Sequence, residues 1–192
     1  GGNYITAWGS EPQNPLIPAN TNETGGGRIV DSIYSGLVYY DADGKAQNEI
    51  AESIEPNKDN TKFTIKLKKT NFSDGSPVTA KNFVDAWNYA VANDQLNASF
   101  FSNIKGFKEG VKELEGLKVE DDYTFTVELN NPEQDFPVQL GYSAFYPLHE
   151  SAFEDMDAFG QNPIGNGPYK LTEWNHNQDA TVVPNEEYKG GQ

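Results

Sequence analysis

From Lys62 to Lys68 apolar and polar residues alternate strictly. Phe63, Ile65 and Leu67 fall on one side, and Thr64, Lys66 and Lys68 on the other. A period of two predicts a half-buried strand. The period then changes. Phe83, Ala86, Trp87, Ala90 and Val91 stand at i, i+3, i+4, i+7 and i+8, which is one apolar face of a helix. Ser73-Asp74-Gly75-Ser76-Pro77 lies between the two periods and reads as a turn. Gly75 can take positive φ, Asp74 can bond its own backbone, and Pro77 biases Ser76 away from helix. Thr79 suits the N-cap, because its hydroxyl can accept from a free N–H of the first turn.

The same reading extends along the chain. Tyr4 to Trp8 predicts a strand, and the Pro- and Asn-rich stretch from Gly9 to Asn22 a loop. Ile29, Val30, Ile33, Tyr34 and Leu37 predict a helix over 24–37, with Thr24 as cap and Gly36 near its end. Val38-Tyr39-Tyr40 reads as a short strand closed by a turn at Asp41-Ala42-Asp43-Gly44. Ile50, Ala51 and Ile54 suggest a helical turn within 45–56, and 105–115 a charged helix. Tyr123, Phe125, Val127 and Leu129 alternate with Thr124, Thr126 and Glu128. With Leu117–Val119 they predict a hairpin around Asp121-Asp122. A short helix over 135–141 carries Pro137 in its first turn. Ala144 to Leu148 reads as a strand, 150–159 as an acidic surface helix, and Tyr169–Trp174 with Ala180–Val183 as paired strands.

Three stretches carry a resemblance. They are Ile50-Ala51-Glu52-Ser53 through Phe63–Leu67 to Phe72-Ser73-Asp74-Gly75-Ser76-Pro77-Val78-Thr79-Ala80, then Pro163-Ile164-Gly165-Asn166-Gly167-Pro168-Tyr169, then Asn185-Glu186-Glu187-Tyr188. Glu11-Pro12 and Asn14 to Pro18 are similar to a first-loop motif, although Ile17 stands where an Asp is usual. Together they resemble the oligopeptide- and dipeptide-binding family of extracytoplasmic solute-binding proteins of ABC importers. The resemblance implies a mixed α/β (α+β) chain forming part of one lobe of a two-lobed periplasmic-binding-protein-like fold. Residues 1–40 and 161–192 would form the base of that lobe, and 41–160 an inserted subdomain. The second lobe would lie outside this chain.

Composition narrows the alternatives. The 192 residues carry a formal charge of −15 and no cysteine, and mean hydropathy is −0.70. Such an acidic chain lacks the basic face a nucleic-acid binder needs. Without cysteine there is no disulfide or thiolate metal site. No run is long enough to span a bilayer. Gly25-Gly26-Gly27 lacks the Lys-Ser/Thr of a phosphate loop, and Val30 replaces the last glycine of a dinucleotide fingerprint. The Asp41–Gly44 run brings its glycine too early for a calcium loop. His149 and His176, in different segments, are expected at exposed polar positions and not as a zinc pair. Twenty-nine carboxylates make any glycosidase-like pair uninformative. No catalytic, metal or cofactor group is expected, so binding is favoured over catalysis.

The resemblance assigns ligand contacts to three segments. They are Asn22, Glu23 and Thr24; then Phe100 and Phe101; then Gly141, Tyr142 and Ser143. For the phenylalanines a core role competes on equal terms. Glu23 suits either a peptide ammonium or the positive end of the following helix. Tyr142, Phe145 and Trp174 are expected to be exposed. The implied ligand is a peptide, with an oligosaccharide second and a sensor or interaction module as a further alternative. The implied partner is an ABC permease. Any membrane attachment would run through a lipid anchor outside this chain.

Overall fold

A computed structural model describes residues 4–7, 16–20, 24–175 and 179–188. The strands are β1 (Tyr4–Ala7), β2 (Val38–Tyr40), β3 (Ala46–Asn48), β4 (Ala51–Pro56), β5 (Lys62–Leu67), β6 (Leu117–Asp121), β7 (Thr124–Glu128), β8 (Tyr169–Asn175) and β9 (Asp179–Pro184). The helices are α1 (Thr24–Ile33), α2 (Ala80–Ala92), α3 (Phe136–Gln139) and α4 (Met156–Gln161). The strands form three antiparallel sheets, ordered β1-β9-β8, β2-β3 and β4-β5-β7-β6.

The third sheet is built as the alternation predicts. Phe63 pairs with Val127 and Ile65 with Phe125, and all four side chains are fully buried. The apolar stripe of α2 covers them. Phe83 stacks on Phe125 at 5.8 Å between centroids, and Trp87 meets Phe125 edge-on at 5.6 Å. Phe101 and Phe145 complete the cage around Trp87 at 5.8 and 5.4 Å. Its indole N–H donates to the Phe145 carbonyl at 3.1 Å. Gly75 has φ +87°, as the Asp-Gly turn requires. Thr79 and Asn82 form a reciprocal capping box at the start of the helix. Asn82 Oδ1 accepts from the Thr79 backbone N–H at 2.7 Å and lies 3.0 Å from its hydroxyl.

Several expectations are corrected. Residues 46–56 form two strands, not a helical turn. The apolar spacing suits either, and β5 claims the backbone by pairing Ile54 with Ile65. The 105–115 stretch is a series of turns, because Gly106 and Gly110 adopt φ +86° and +79°, outside any helix. The 144–148 stretch is no strand. Its carbonyls are taken by α2 side chains, Trp87 on Phe145 and Asn82 on Leu148 at 2.9 Å. The 150–159 helix divides into a 3-10 turn, Glu150–Phe153, and α4, whose cap Asp155 accepts from Ala158 N at 3.1 Å. Phe145 is fully buried in the aromatic cage, not exposed.

Helix α1 also ends early, at Ile33. The backbone of Ser35 is instead held by Asn166 of the Pro-Ile-Gly-Asn-Gly-Pro segment. Asn166 Oδ1 accepts from Ser35 N at 2.9 Å, and its Nδ2 donates to Ser35 O at 3.0 Å. Gly165 in turn accepts from Ser73 N at 2.9 Å, so the two longest sequence motifs meet in space.

Candidate functional site

Several aromatic and acidic residues converge on one face. A cavity of about 520 Å³ opens there. Its lining comes from α1 (Asp31), β2 (Val38 to Tyr40), Glu49, the turn at 97–100 (Asn97 and Phe100) and the 141–146 segment. Around it Tyr40 is 38% exposed, and Phe100 and Tyr142 are each 45% exposed. These three form a wall. Tyr142 lies 6.0 Å from Tyr40 and 5.6 Å from Phe100, centroid to centroid.

The wall is fixed from behind. The Tyr40 hydroxyl donates to Val138 O at 2.6 Å. Its ring lies so close to Gly141 that a Cβ there would sit 2.7 Å from Tyr40 Cζ. Glycine at 141 is therefore what seats Tyr40. Gly36 does the same for Tyr146, whose ring would lie 2.9 Å from an added Cβ. Tyr146 stacks on Tyr34 and donates its hydroxyl to Asp31 Oδ1 at 3.1 Å. Glu49, almost fully buried, accepts from the Tyr188 hydroxyl.

The electrostatics follow from burial. Burial pushes the Tyr146 hydroxyl far above the ordinary tyrosine range, and the nearby Asp31 charge adds to this. Burial also raises the Asp31 carboxyl, partly offset by the Tyr146 hydrogen bond. Tyr40 is raised by burial and by its neighbour Tyr142, and a hydrogen bond with the Gly141 backbone works against this. The tyrosines therefore stay protonated at neutral pH and act as hydrogen-bonding groups and flat surfaces. Among the described residues, no lysine, arginine or histidine lines the cavity.

Four of the residues singled out in the sequence meet in this cavity: Phe100, Gly141, Tyr142 and Ser143. Phe101 does not. It is fully buried against Trp87 and Phe145, because the 3-10 turn Ala98–Phe101 points adjacent side chains in different directions. Thr24 is the first residue of α1. Asn22 and Glu23 lie outside the described residues, as does His176. Asp31, Tyr40, Glu49 and Tyr146 were not read as site residues. Gly36, read from the sequence as a helix end, and Gly141, read as a ligand contact, are the glycines that make room for the Tyr146 and Tyr40 rings.

His149 is not at an exposed position. It is 8% exposed, with its ring edge-on to Phe72. Its Nε2 lies 2.8 Å from Asp74 Oδ2, and its Nδ1 lies 2.8 Å from Ser151 Oγ. Nδ1 also accepts from Ser151 N at 3.1 Å. That bond makes Nδ1 the acceptor, so Nε2 carries the proton and donates to Asp74. The group caps the 150–153 turn and ties it to the Asp-Gly turn. Among the described residues no cluster of three or more His, Asp or Glu side chains could hold a metal ion. No described helix is long and apolar enough to cross a membrane.

Residues 45–192 match the sequence profile of the bacterial extracellular solute-binding proteins, family 5. The chain belongs to that family. A family-5 relative, the oligopeptide-binding protein OppA of Bacillus subtilis (strain 168), is 30% identical over 185 residues, covering 90% of this chain and 34% of its own. Haemophilus influenzae OppA, solved in complex with RPPGFSPFR, superposes with a TM-score of 0.83 at 34% identity, covering 94% of this chain and 37% of its own. Listeria monocytogenes OppA bound to peptide gives 0.83 at 30% identity, covering 93% and 38%. The mixed α/β architecture is thus that of the OppA-type binding proteins. The chain spans about a third of the length of the family-5 relatives it matches.

Proposed function

We propose that this chain is part of the substrate-binding component of an ABC importer. In this reading it captures oligopeptides outside the cytoplasm and delivers them to a membrane permease. The observation that carries the reading is the open, aromatic-walled cavity at Tyr40, Phe100 and Tyr142. A peptide-capturing cleft needs apolar walls and a few fixed polar groups, and no reactive centre. Family membership, and relatives solved with peptide, support the same reading. The protein binds and does not catalyse.

In this proposal Phe100, Gly141, Tyr142 and Ser143 form one side of the ligand site, with Asn22, Glu23 and Thr24 beside them. A second lobe outside this chain supplies the other side. Residues 1–40 and 161–192 act as the base of the lobe and 41–160 as an insertion. The first sheet supports that division, since β1 comes from one end of the chain and β8 and β9 from the other. A lipid anchor outside this chain holds the protein at the cell exterior.

The test is native mass spectrometry of the full-length protein as purified, followed by titration with a peptide mixture. Co-purifying peptides and saturable peptide binding are expected. A tightly held oligosaccharide with no peptide affinity would overturn the peptide reading. Hydrolysis of the added peptides would overturn the assignment as a binding protein.

A further inference from the structure

The cavity is acidic as well as aromatic, and this narrows its occupant. Among the described residues, Asp31 and Glu49 are the charged groups in its lining, and no lysine, arginine or histidine accompanies them. Asp31 Oδ1 is engaged by the Tyr146 hydroxyl. Its other oxygen, Oδ2, has no hydrogen-bond donor among the described residues. The Tyr40, Phe100 and Tyr142 rings stand on the same cavity, partly exposed.

We propose that this cavity receives a basic side chain of the bound peptide, a lysine ammonium or an arginine guanidinium. Asp31 is its carboxylate partner, and the three rings are its walls. The inference rests on the peptide-binding reading above and adds a side-chain preference to it. Three physical arguments converge. A cation within about 6 Å of an aromatic face is drawn to the ring quadrupole, more strongly once desolvated. The methylene stem of lysine or arginine packs on apolar surface while its head reaches a polar group. A neutral apolar side chain would cover the Asp31 carboxylate without giving Oδ2 a donor, which is costly for a group losing water. An acidic side chain would add repulsion from both carboxylates. The volume of about 520 Å³ leaves ample room for either basic side chain. The overall charge of −15 favours the approach of basic peptides.

The test uses the full-length protein and a set of otherwise identical tetrapeptides. Each position in turn carries lysine, norleucine or glutamate, with free or acetylated amino termini. Calorimetry is expected to find one position where lysine binds about tenfold or more tighter than norleucine, and glutamate weaker than both. Asp31→Asn should bring the lysine-over-norleucine affinity ratio to within about twofold, whatever it does to the affinity of both. Tyr142→Ala should weaken both. If every position tolerates the three side chains within about twofold, this proposal falls while peptide binding stands. If acetylation, and not the lysine-to-norleucine change, removes the advantage, the site takes the amino terminus and the side-chain assignment is wrong. If no peptide of the set binds, the underlying peptide reading falls with it.

Discussion

Replacing Trp87 by alanine should bring this chain close to unfolding. Trp87 has no exposed surface, and four aromatic rings surround it at 5.4 to 6.3 Å. Those rings come from α2 itself, the 98–101 turn, β7 and the 143–145 turn, so no single element can move in to fill the gap. Removing an indole leaves a void of roughly 100–140 Å³ if its neighbours stay put, worth about 2.4–3.4 kcal/mol at 24 cal/mol per Å³. With the lost transfer energy the total is about 3–5 kcal/mol. The unpaired Phe145 carbonyl, now without its 3.1 Å indole donor, adds about 1–3 kcal/mol. Total stabilities are commonly only about 5–15 kcal/mol. Urea denaturation followed by far-UV circular dichroism would measure the loss. Trp87→Phe should cost less, because it keeps an aromatic ring in the cage, although it too loses the hydrogen bond to Phe145 O. A Trp87→Ala chain within about 1 kcal/mol of wild type would refute the cage as the centre of the core.

Two further outcomes can be checked on the same chain. Gly75→Val should destabilise by more than about 1 kcal/mol, and urea midpoints of Gly75→Val and Gly75→Asn would separate backbone strain from sterics. No atom lies within 4 Å of an added Cβ there, so the φ of +87° alone must carry the cost. Asp31→Asn should raise the melting temperature at pH 7. Burial raises the folded-state pKa of Asp31, so its ionised form costs stability above that pKa. The cost vanishes below the unfolded value of about 3.9. A melting-temperature gain that persists unchanged at pH 3 would contradict this.

What could be read from the sequence depended on how local the determining contacts were. β5, the Asp-Gly turn, α2 and the β6–β7 hairpin each show their own period, and each forms as written. β4 does not, because Ile50, Ala51 and Ile54 fit a helix equally well until β5 supplies a partner, and β3 is likewise set by its pairing with β2. The 144–148 segment failed for the same reason. Its conformation is dictated by Asn82 and Trp87, more than fifty residues away. In the cavity, the resemblance drew attention to Phe100 and the 141–143 segment. Asp31, Tyr40, Glu49 and Tyr146 were missed because each sits inside or beside a regular element, where its period marks no face as special. Phe101 shows the limit at single-residue level, since one step along a tight turn separates cavity from core.

The clasp of Asn166 on Ser35 has a consequence for the order in which the molecule can be completed. The two residues are 131 positions apart. At about 5–20 residues per second, Ser35 is added to the chain roughly 7–26 s before Asn166. β1 waits longer still, because its partner β9 begins at Asp179. The β5–α2–β7 unit, by contrast, is complete within residues 62–128. The middle of the chain can therefore gain structure while its beginning still has free backbone and an unpaired strand edge. Such edges are templates for pairing with other chains. A nascent chain interrupted before Asn166 would carry a finished centre and an adhesive β1, which makes Asn166 and β9 a protection against aggregation.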